Sequence, residues 1–493
     1  MKLHAVSPTE LRILGVNPGS EAVMLAAHLQ YHDKRVDYEL QKFKHAGWFI
    51  QKYGQEAYDE RLAELKASRF KSLLFKDEKG FRTYTGLQRH IQNAFPGTPF
   101  ESDVEYPTAE SLPWALDPLK PYPYQEKALA ELLANEHSAV EIGTGLGKTL
   151  IIRYLVRKLG LRAVVMAPST SIAKQIYDTM AHDLGRRVVG RYGDGRHDIN
   201  KLVTVATAQS LTRIEPGSEA WEYFSAAPVF IADESHLCPA TTLQKVCFGM
   251  MKASPFRYFF SGTQLRNDGL DLLLDAITGP VVSKMTVKEG IDQGYLARLN
   301  VTMLSVESTS GFSGRDPNEM TRAHLFYDQH VCQVVAMTIN RLVKLCGYQV
   351  LVLVEELEQF ARLLPMLRHE AGFAHSGGAG SDVLPLEYQK SDPDKLVERF
   401  NDGRLPILVG TSCIATGTDI KANKATVYLR GGKSEIEVMQ GAIGRSTRKH
   451  ELVGKAECQI IDVDVSNIEV LHRHALARRK IYEQVVQVRE SDG

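Results

Sequence analysis

The stretch Ala139-Val140-Glu141-Ile142-Gly143-Thr144-Gly145-Leu146-Gly147-Lys148-Thr149 decides the fold. An apolar run passes into a turn with glycine at every second position, and then into TLIIRYLVRKL, whose apolar residues repeat at helical spacing. Strand, glycine-rich turn and helix in that order make a phosphate-binding loop. Gly143, Gly145 and Gly147 let successive N–H groups converge on phosphate oxygens at the positive end of a helix. Lys148 then neutralises phosphate charge, and the Thr149 hydroxyl ligates Mg²⁺. The strict spacing asks for glycine where this chain has Ile142, so the loop follows a relaxed form.

Working outward, the apolar segments SAVEI, AVVMA, LVTVATA, VFIADE and YFFSGT alternate with helix-length segments between residues 121 and 285. Such alternation predicts βαβ crossovers around a buried parallel sheet. A second alternating block begins near Asn300, with QVLVLVE, PILVGTS, ATVYLR and AECQIIDVD as its strands. The first hundred residues read differently: YDERLAELKASRF has helical patterning, and KSLLFKDEKGFRTYTG suggests a hairpin. They carry 15 Lys/Arg against 11 Asp/Glu, a mild basic excess that a solvated face also explains. Pro99, Pro107, Pro113, Pro118 and Pro121 mark an irregular connector. Residues 306–320 and 376–387, rich in Gly and Ser, read as loops.

At roughly 150 residues per domain, 493 residues predict about three domains. The expected division is an N-terminal accessory domain over 1–112, a first α/β domain over 113–285, a linker over 286–299 and a second α/β domain over 300–493. Hydrophobic residues at 44% and charged residues at 24% exclude a disordered or disulfide-dense chain. No apolar run approaches the ~18 residues of a membrane span, and the opening MKLHAVSPTELR lacks a signal-peptide core, so a cytosolic protein is expected. Cys238, Cys247, Cys332, Cys346, Cys413 and Cys458 show no C-x-x-C spacing and are expected to be reduced, buried packing residues. Lys and Arg balance Asp and Glu at 59 each, so a polyanionic partner must be held by local patches.

The strand Val229-Phe230-Ile231-Ala232 ends in Asp233 and Glu234, the first of them 84 residues after Thr149. Carboxylates at such a strand end suit Asp233 to hold hydrated Mg²⁺ and Glu234 to polarise the water that attacks the γ-phosphorus.

With these motifs in place, residues 119 to 465 resemble the superfamily-2 helicases and translocases, whose motor is two RecA-like domains closing on ATP. The resemblance implies an α/β fold of two tandem RecA-like domains behind a small α+β N-terminal domain. It implies that Gln125 in PYPYQ reads adenine, although Tyr122 stands where a basic residue is common. Ser261-Gly262-Thr263 resembles the S-A-T motif, and His236, Ser261 and Thr263 are thereby expected to couple the ATP site to the nucleic-acid track. Arg266 and Asp268 extend that likeness. Thr411-Ser412-Cys413-Ile414-Ala415-Thr416-Gly417-Thr418-Asp419 is similar to motif V, with Thr411 on a backbone phosphate and Gly417 and Asp419 facing ATP. Gln440-Gly441-Ala442-Ile443-Gly444-Arg445-Ser446-Thr447-Arg448 is similar to motif VI, with Arg445 and Arg448 as arginine fingers. One extra residue separates Gln440 from Gly444, which leaves the role of Gln440 open. Pro168, Ser169 and Gln175 resemble motif Ia, and Thr207, Gln209 and Ser210 resemble the T-x-Q-S-L segment. Both suit phosphate gripping without base readout, and both equally suit helix capping. Arg186, Arg187, Arg191 and Arg196 add a basic cluster expected at the surface.

Three segments narrow the likeness to the UvsW group of phage recombination helicases and their XPB-type relatives: FKDEKGFRTYTGLQRHI, GPVVSKMTVKEGIDQGYLARL and GGKSEIEVMQ. That subgroup implies ATP and Mg²⁺ as cofactors and branched or forked DNA as partner, with no membrane role. It implies fork regression and Holliday-junction branch migration in recombination, repair or replication. Phe81 and Tyr84 either stack on unpaired bases or bury into a core. The alternatives are an RNA helicase, a translocating subunit of a restriction or defence system, and an ATP-gated nucleic-acid clamp that does not unwind. Residues 466–493 read as a terminal helix or a partner-docking helix.

Overall fold

Apolar runs without polar alternation belong to strands covered on both faces, and such runs form the centres of two parallel sheets. The computed structural model describes the whole chain except residues 117, 264–267, 377–380, 412–413, 415–419, 436, 451–453 and 493. It divides into two compact units, Met1–Ile142 with Gly147–Lys284, and Gly143–Leu146 with Met285–Gly493.

The first unit opens with β1 (Lys2–Ala5), β2 (Glu10–Leu14), β3 (Gln30–His32), β4 (Phe70–Ser72), β5 (Phe75–Asp77), β6 (Gly80–Tyr84) and β7 (Phe100–Ser102). Five of these make a sheet in the order β5-β6-β2-β1-β7, while β3 and β4 pair separately. The expected hairpin is β5 and β6, with Asp77 opposite Gly80. This sheet does not keep a core to itself. Leu3, Leu11, Ile13, Leu87 and Ile91 belong to one buried cluster with Ala139, Val164, Phe230 and Phe259 of the parallel sheet. At Gly86, in the turn after β6, a Cβ would lie 2.5 Å from the carbonyl oxygen of Ala276 in the helix Asp271–Thr278, so that turn and that helix approach as closely as glycine allows. Tyr84 stacks on Phe248 with ring centroids 4.0 Å apart, and Phe81 packs on the same cluster. Both rings therefore serve packing.

The parallel sheet, with one antiparallel edge strand in β11, comprises β8 (His137–Ile142), β9 (Ala163–Ala167), β10 (Val189–Gly193), β11 (Arg196–His197), β12 (Val203–Thr207), β13 (Val229–Asp233), β14 (Phe256–Ser261) and β15 (Val281–Met285). Their order is β11-β10-β12-β9-β13-β14-β8-β15. Every residue of β9, β12, β13 and β14 is buried, as strands between two helical layers require. Arg191 departs from the expected surface cluster: it is buried on β10 and its guanidinium pairs with Asp194 at 3.0 Å. Arg186, Arg187 and Arg196 remain exposed.

The second unit contains β16 (Arg298–Val306), β17 (Val350–Leu353), β18 (Ala371–Ala374), β19 (Ile407–Gly410), β20 (Ala425–Tyr428), β21 (Glu457–Val465) and β22 (Val488–Asp492). They form one sheet in the order β18-β19-β17-β20-β21-β16-β22, with every neighbouring pair parallel. Inside the segment expected to be a loop, Asp316 caps a short helix, Pro317–Thr321, by accepting from the Asn318 and Glu319 N–H groups. Residues 466–493 form a helix, Glu469–Glu483, followed by β22, and both are integral to this unit. Arg478 on that helix is fully buried and forks onto Asp462 of β21 at 2.7 and 2.9 Å, while Tyr482 donates to the same carboxylate at 2.9 Å. Removing one partner strands a buried charge, so Arg478→Met should destabilise this unit by about 3–5 kcal/mol. A urea unfolding profile unchanged from wild type would remove the terminal helix from the fold's essential elements. Among the described cysteines, Cys346 departs from expectation by being exposed, and the other four are buried.

Candidate active site

The helix Lys148–Leu159 begins at Gly147, whose backbone is left-handed (φ 76°, ψ 39°). Gly145 is also left-handed, at φ 85°. A side chain at residue 147 would be excluded twice, because its Cβ would also fall 2.5 Å from Gln125 Nε2. Gln125, buried on the helix Pro123–Leu133, accepts the Tyr122 N–H on Oε1 at 2.8 Å. That bond fixes the amide so that its nitrogen lies against the phosphate-binding loop.

At the end of β13, Glu234 holds a left-handed backbone (φ 52°, ψ 48°), a conformation costly for a residue with a Cβ and concentrated at functional sites. Lys148 Nζ lies 3.4 Å from Glu234 Oε1, and both side chains are largely buried. The Glu234 N–H donates to Asp233 Oδ1 at 3.0 Å. Burial, and after it the neighbouring Glu234 charge, push the Asp233 carboxyl up to about 7, with Lys148 acting in the opposite direction. Two adjoining, largely buried carboxylates thus stand at the end of β13, with the Lys148 ammonium beside them.

From Glu234 a polar chain continues inward. His236 Nδ1 is 3.4 Å from Glu234 Oε2 and 3.0 Å from Ser261 Oγ. The Ser261 hydroxyl donates to the Thr263 carbonyl and accepts the Thr263 N–H at 3.3 Å. With its hydroxyl hydrogen so directed, Ser261 accepts from His236, which places a hydrogen on Nδ1. Lys148, Glu234, His236, Ser261 and Thr263 are thus joined end to end within the first unit.

A Mg²⁺ ion fits the donor set here, because the Asp233 carboxylate and Thr149 hydroxyl supply the hard oxygen ligands it prefers and a cation offsets the carboxylate repulsion. Among the described residues, no group of three or more His, Cys, Asp and Glu is placed to hold a metal without help. Such a site calls for phosphate oxygens to complete the coordination.

Ser169 and Thr207 both prove to be helix N-caps. Ser169 accepts from the Ile172 N–H at 3.4 Å, and Thr207 accepts from the Ser210 N–H at 3.2 Å while donating to Ser210 Oγ at 2.7 Å. Pro168 is half-buried at the end of β9, and the side chains of Gln175 and Gln209 are exposed on the following helices. The caps leave further N–H groups at both helix starts.

In the second unit, Thr411 directly follows β19 and is buried. Gly417 and Asp419 of the same loop, and Arg266 after Thr263, lie outside the described residues. Arg445 sits in the helical turn Gly444–Ser446 and is 2% exposed; Arg448 follows it. The extra residue after Gln440 has a structural counterpart: Glu437–Ile443 is wound as a π-helix, whose i→i+5 bonding takes one more residue per turn than an α-helix. Lys455 and Asn423, packed behind the Arg445 turn, were not foreshadowed. A lysine and an asparagine in mixed segments carry no periodic signal of burial.

Two family models match the chain: Type III restriction enzyme, res subunit, over residues 118–265, and Helicase conserved C-terminal domain, over residues 335–450. The DNA 3'-5' translocase XPB2 of Sulfurisphaera tokodaii is 22% identical over 383 residues, covering 71% of this chain and 84% of that protein. A fragment of a putative HsdR subunit of a type I restriction enzyme from Vibrio vulnificus matches 76% of this chain and 68% of its own, with a TM-score of 0.55 and 18% identity. UvsW of bacteriophage T4 aligns over the full length of both chains, with a TM-score of 0.41 and 14% identity. Among the described residues, no helix is long and apolar enough to cross a membrane.

Proposed function

We propose that this chain, which belongs to the superfamily-2 helicases and carries their two RecA-like domains, is a DNA-dependent ATPase that translocates on DNA and remodels branched or forked structures. The observation that carries the reading is the unbroken polar chain from Lys148 through Glu234 and His236 to Ser261 and Thr263. A nucleotide switch needs only the phosphate loop, whereas a motor needs the state of the phosphates transmitted to a nucleic-acid track.

In this reading Gln125 holds the adenine edge, and the loop Gly143–Gly147 with Lys148 holds the phosphates. Thr149 and Asp233 hold Mg²⁺, which supplies charge neutralisation on the phosphates when bound. Glu234 accepts a proton from the attacking water. Its place between Lys148 and His236 keeps the carboxylate aimed. Arg445 and Arg448 stabilise the charge that develops on the transferred phosphoryl group, with Gly417 and Asp419 lining the nucleotide. Ser169, Gln175, Thr207, Gln209, Ser210 and Thr411 grip backbone phosphates, which gives a track without base readout. Recognition of a branch falls to residues 1–112, and fork regression or branch migration is the outcome. The likeness of the XPB2 translocase favours DNA over RNA as the track.

Steady-state ATPase rate should rise strongly with a four-way DNA junction, less with single-stranded DNA, and little with a matched RNA fork. Stimulation by RNA alone would replace DNA as the substrate class. A rate indifferent to every nucleic acid would make the protein a clamp rather than a motor.

A further inference from the structure

Lys455 is a charged side chain that none of the roles above employs, yet it is only 3% exposed. Its ammonium has three donors and meets three acceptors: the Lys421 carbonyl at 3.0 Å, Asn423 Oδ1 at 3.0 Å and the Arg445 carbonyl at 3.1 Å. The network continues on the other side of Asn423. Asn423 Nδ2 donates to Thr426 Oγ1 at 2.8 Å, and Thr426 Oγ1 shares a hydrogen bond of 2.8 Å with Ser446 Oγ. Residues 445 and 446 are thus tied, one through its carbonyl and the next through its hydroxyl, to the strand entry at residues 421–426. All of these groups belong to the second unit.

Burying an ammonium is expensive unless its hydrogen bonds are complete, and an apolar residue would fill the space at less cost. We propose that Lys455 is a positioning residue for Arg445, its three hydrogen bonds clamping the arginine-bearing turn to residues 421–423 so that Arg445 is presented in one geometry. This inference rests on the reading of Arg445 as the arginine finger. Burial pushes the Lys455 ammonium down to about 8, with Arg448 adding to the fall and Cys458 opposing it. Above that pH the neutral amine has two donors for three acceptors, and the clamp loosens. The sign for stability is the reverse: the unfolded chain holds the proton to a higher pH, so the desolvation cost of the charge is relieved as pH rises through 8.

The test is the DNA-stimulated ATPase of full-length Lys455→Met and Lys455→Arg, beside Arg445→Ala and the double variant Arg445→Ala/Lys455→Met. Lys455→Met should lower kcat on the order of tenfold to a hundredfold, as a displaced catalytic group does, with the KM for ATP within about twofold. Lys455→Arg should recover most of the rate. In the double variant the second substitution should add nothing to the loss from Arg445→Ala. A full loss from Arg445→Ala with Lys455→Met at wild-type kcat overturns the positioning role alone. No loss from Arg445→Ala overturns the finger reading and the clamp with it. If Lys455→Met does not fold, wild-type kcat against pH decides: a fall centred near 8 that is absent from ATP affinity and from Lys455→Arg supports the clamp, and a flat profile overturns it.

Discussion

Lys148→Ala is expected to abolish ATP turnover, with a loss on the order of 10²–10³ or more, the cost of deleting one preorganised charge from a transition-state site. The loss has two parts. The phosphates forfeit their fixed cation, and the carboxylates at the end of β13 forfeit the ammonium 3.4 Å from Glu234. Asp233, already raised to about 7 by burial and by Glu234 against the pull of Lys148, rises further when that pull is gone. That direction favours the neutral acid, which is a poorer metal ligand than the carboxylate. Phosphate release at saturating DNA measures the effect, and DNA-stimulated hydrolysis persisting in the variant would falsify the assignment of this site.

Arg445→Ala should lower kcat on the order of 10³ or more while leaving nucleotide binding largely intact, since a finger acts on charge that develops only in the transition state. The measurement is kcat from saturating ATP set beside ATP affinity from a fluorescent analogue. Weakened binding with unchanged turnover at saturation would instead make Arg445 a ground-state ligand. The arginine is almost fully buried, so truncation leaves a cavity; heat denaturation of the variant separates that effect from the chemistry.

Much of this site was legible in the amino-acid order because its signals are local. A strand buried on both faces must be continuously apolar, as VFIAD is, and its end is marked by the first charged residues. A left-handed turn selects glycine, as at 145 and 147. What stayed hidden is what depends on distant partners. Arg191 reads as one of four basic surface residues, yet its side chain is buried on β10, a placement decided by the pairing of that strand with β12. Glu234 carries no mark of its left-handed backbone, because only the surrounding structure imposes it. The π-helical winding of Glu437–Ile443 appears in the sequence only as a spacing one residue too long. Tyr84 pairs with Phe248, a residue 164 positions away, and hairpin periodicity is silent about such a partner.

The core shared by the N-terminal sheet and the first parallel sheet has a mechanical consequence. A domain on a tether can rotate under load and absorb displacement as slack. Here Leu3, Leu11 and Ile13 belong to one buried cluster with Val164, Phe230 and Phe259, and Gly86 meets the Ala276 carbonyl without room for a methyl group. Close-packed interiors have low compressibility, so the N-terminal sheet acts as a stiff lever fixed to the body that holds Lys148 and Glu234. Torque applied to that sheet would pass into the body carrying Lys148 and Glu234 with little slack.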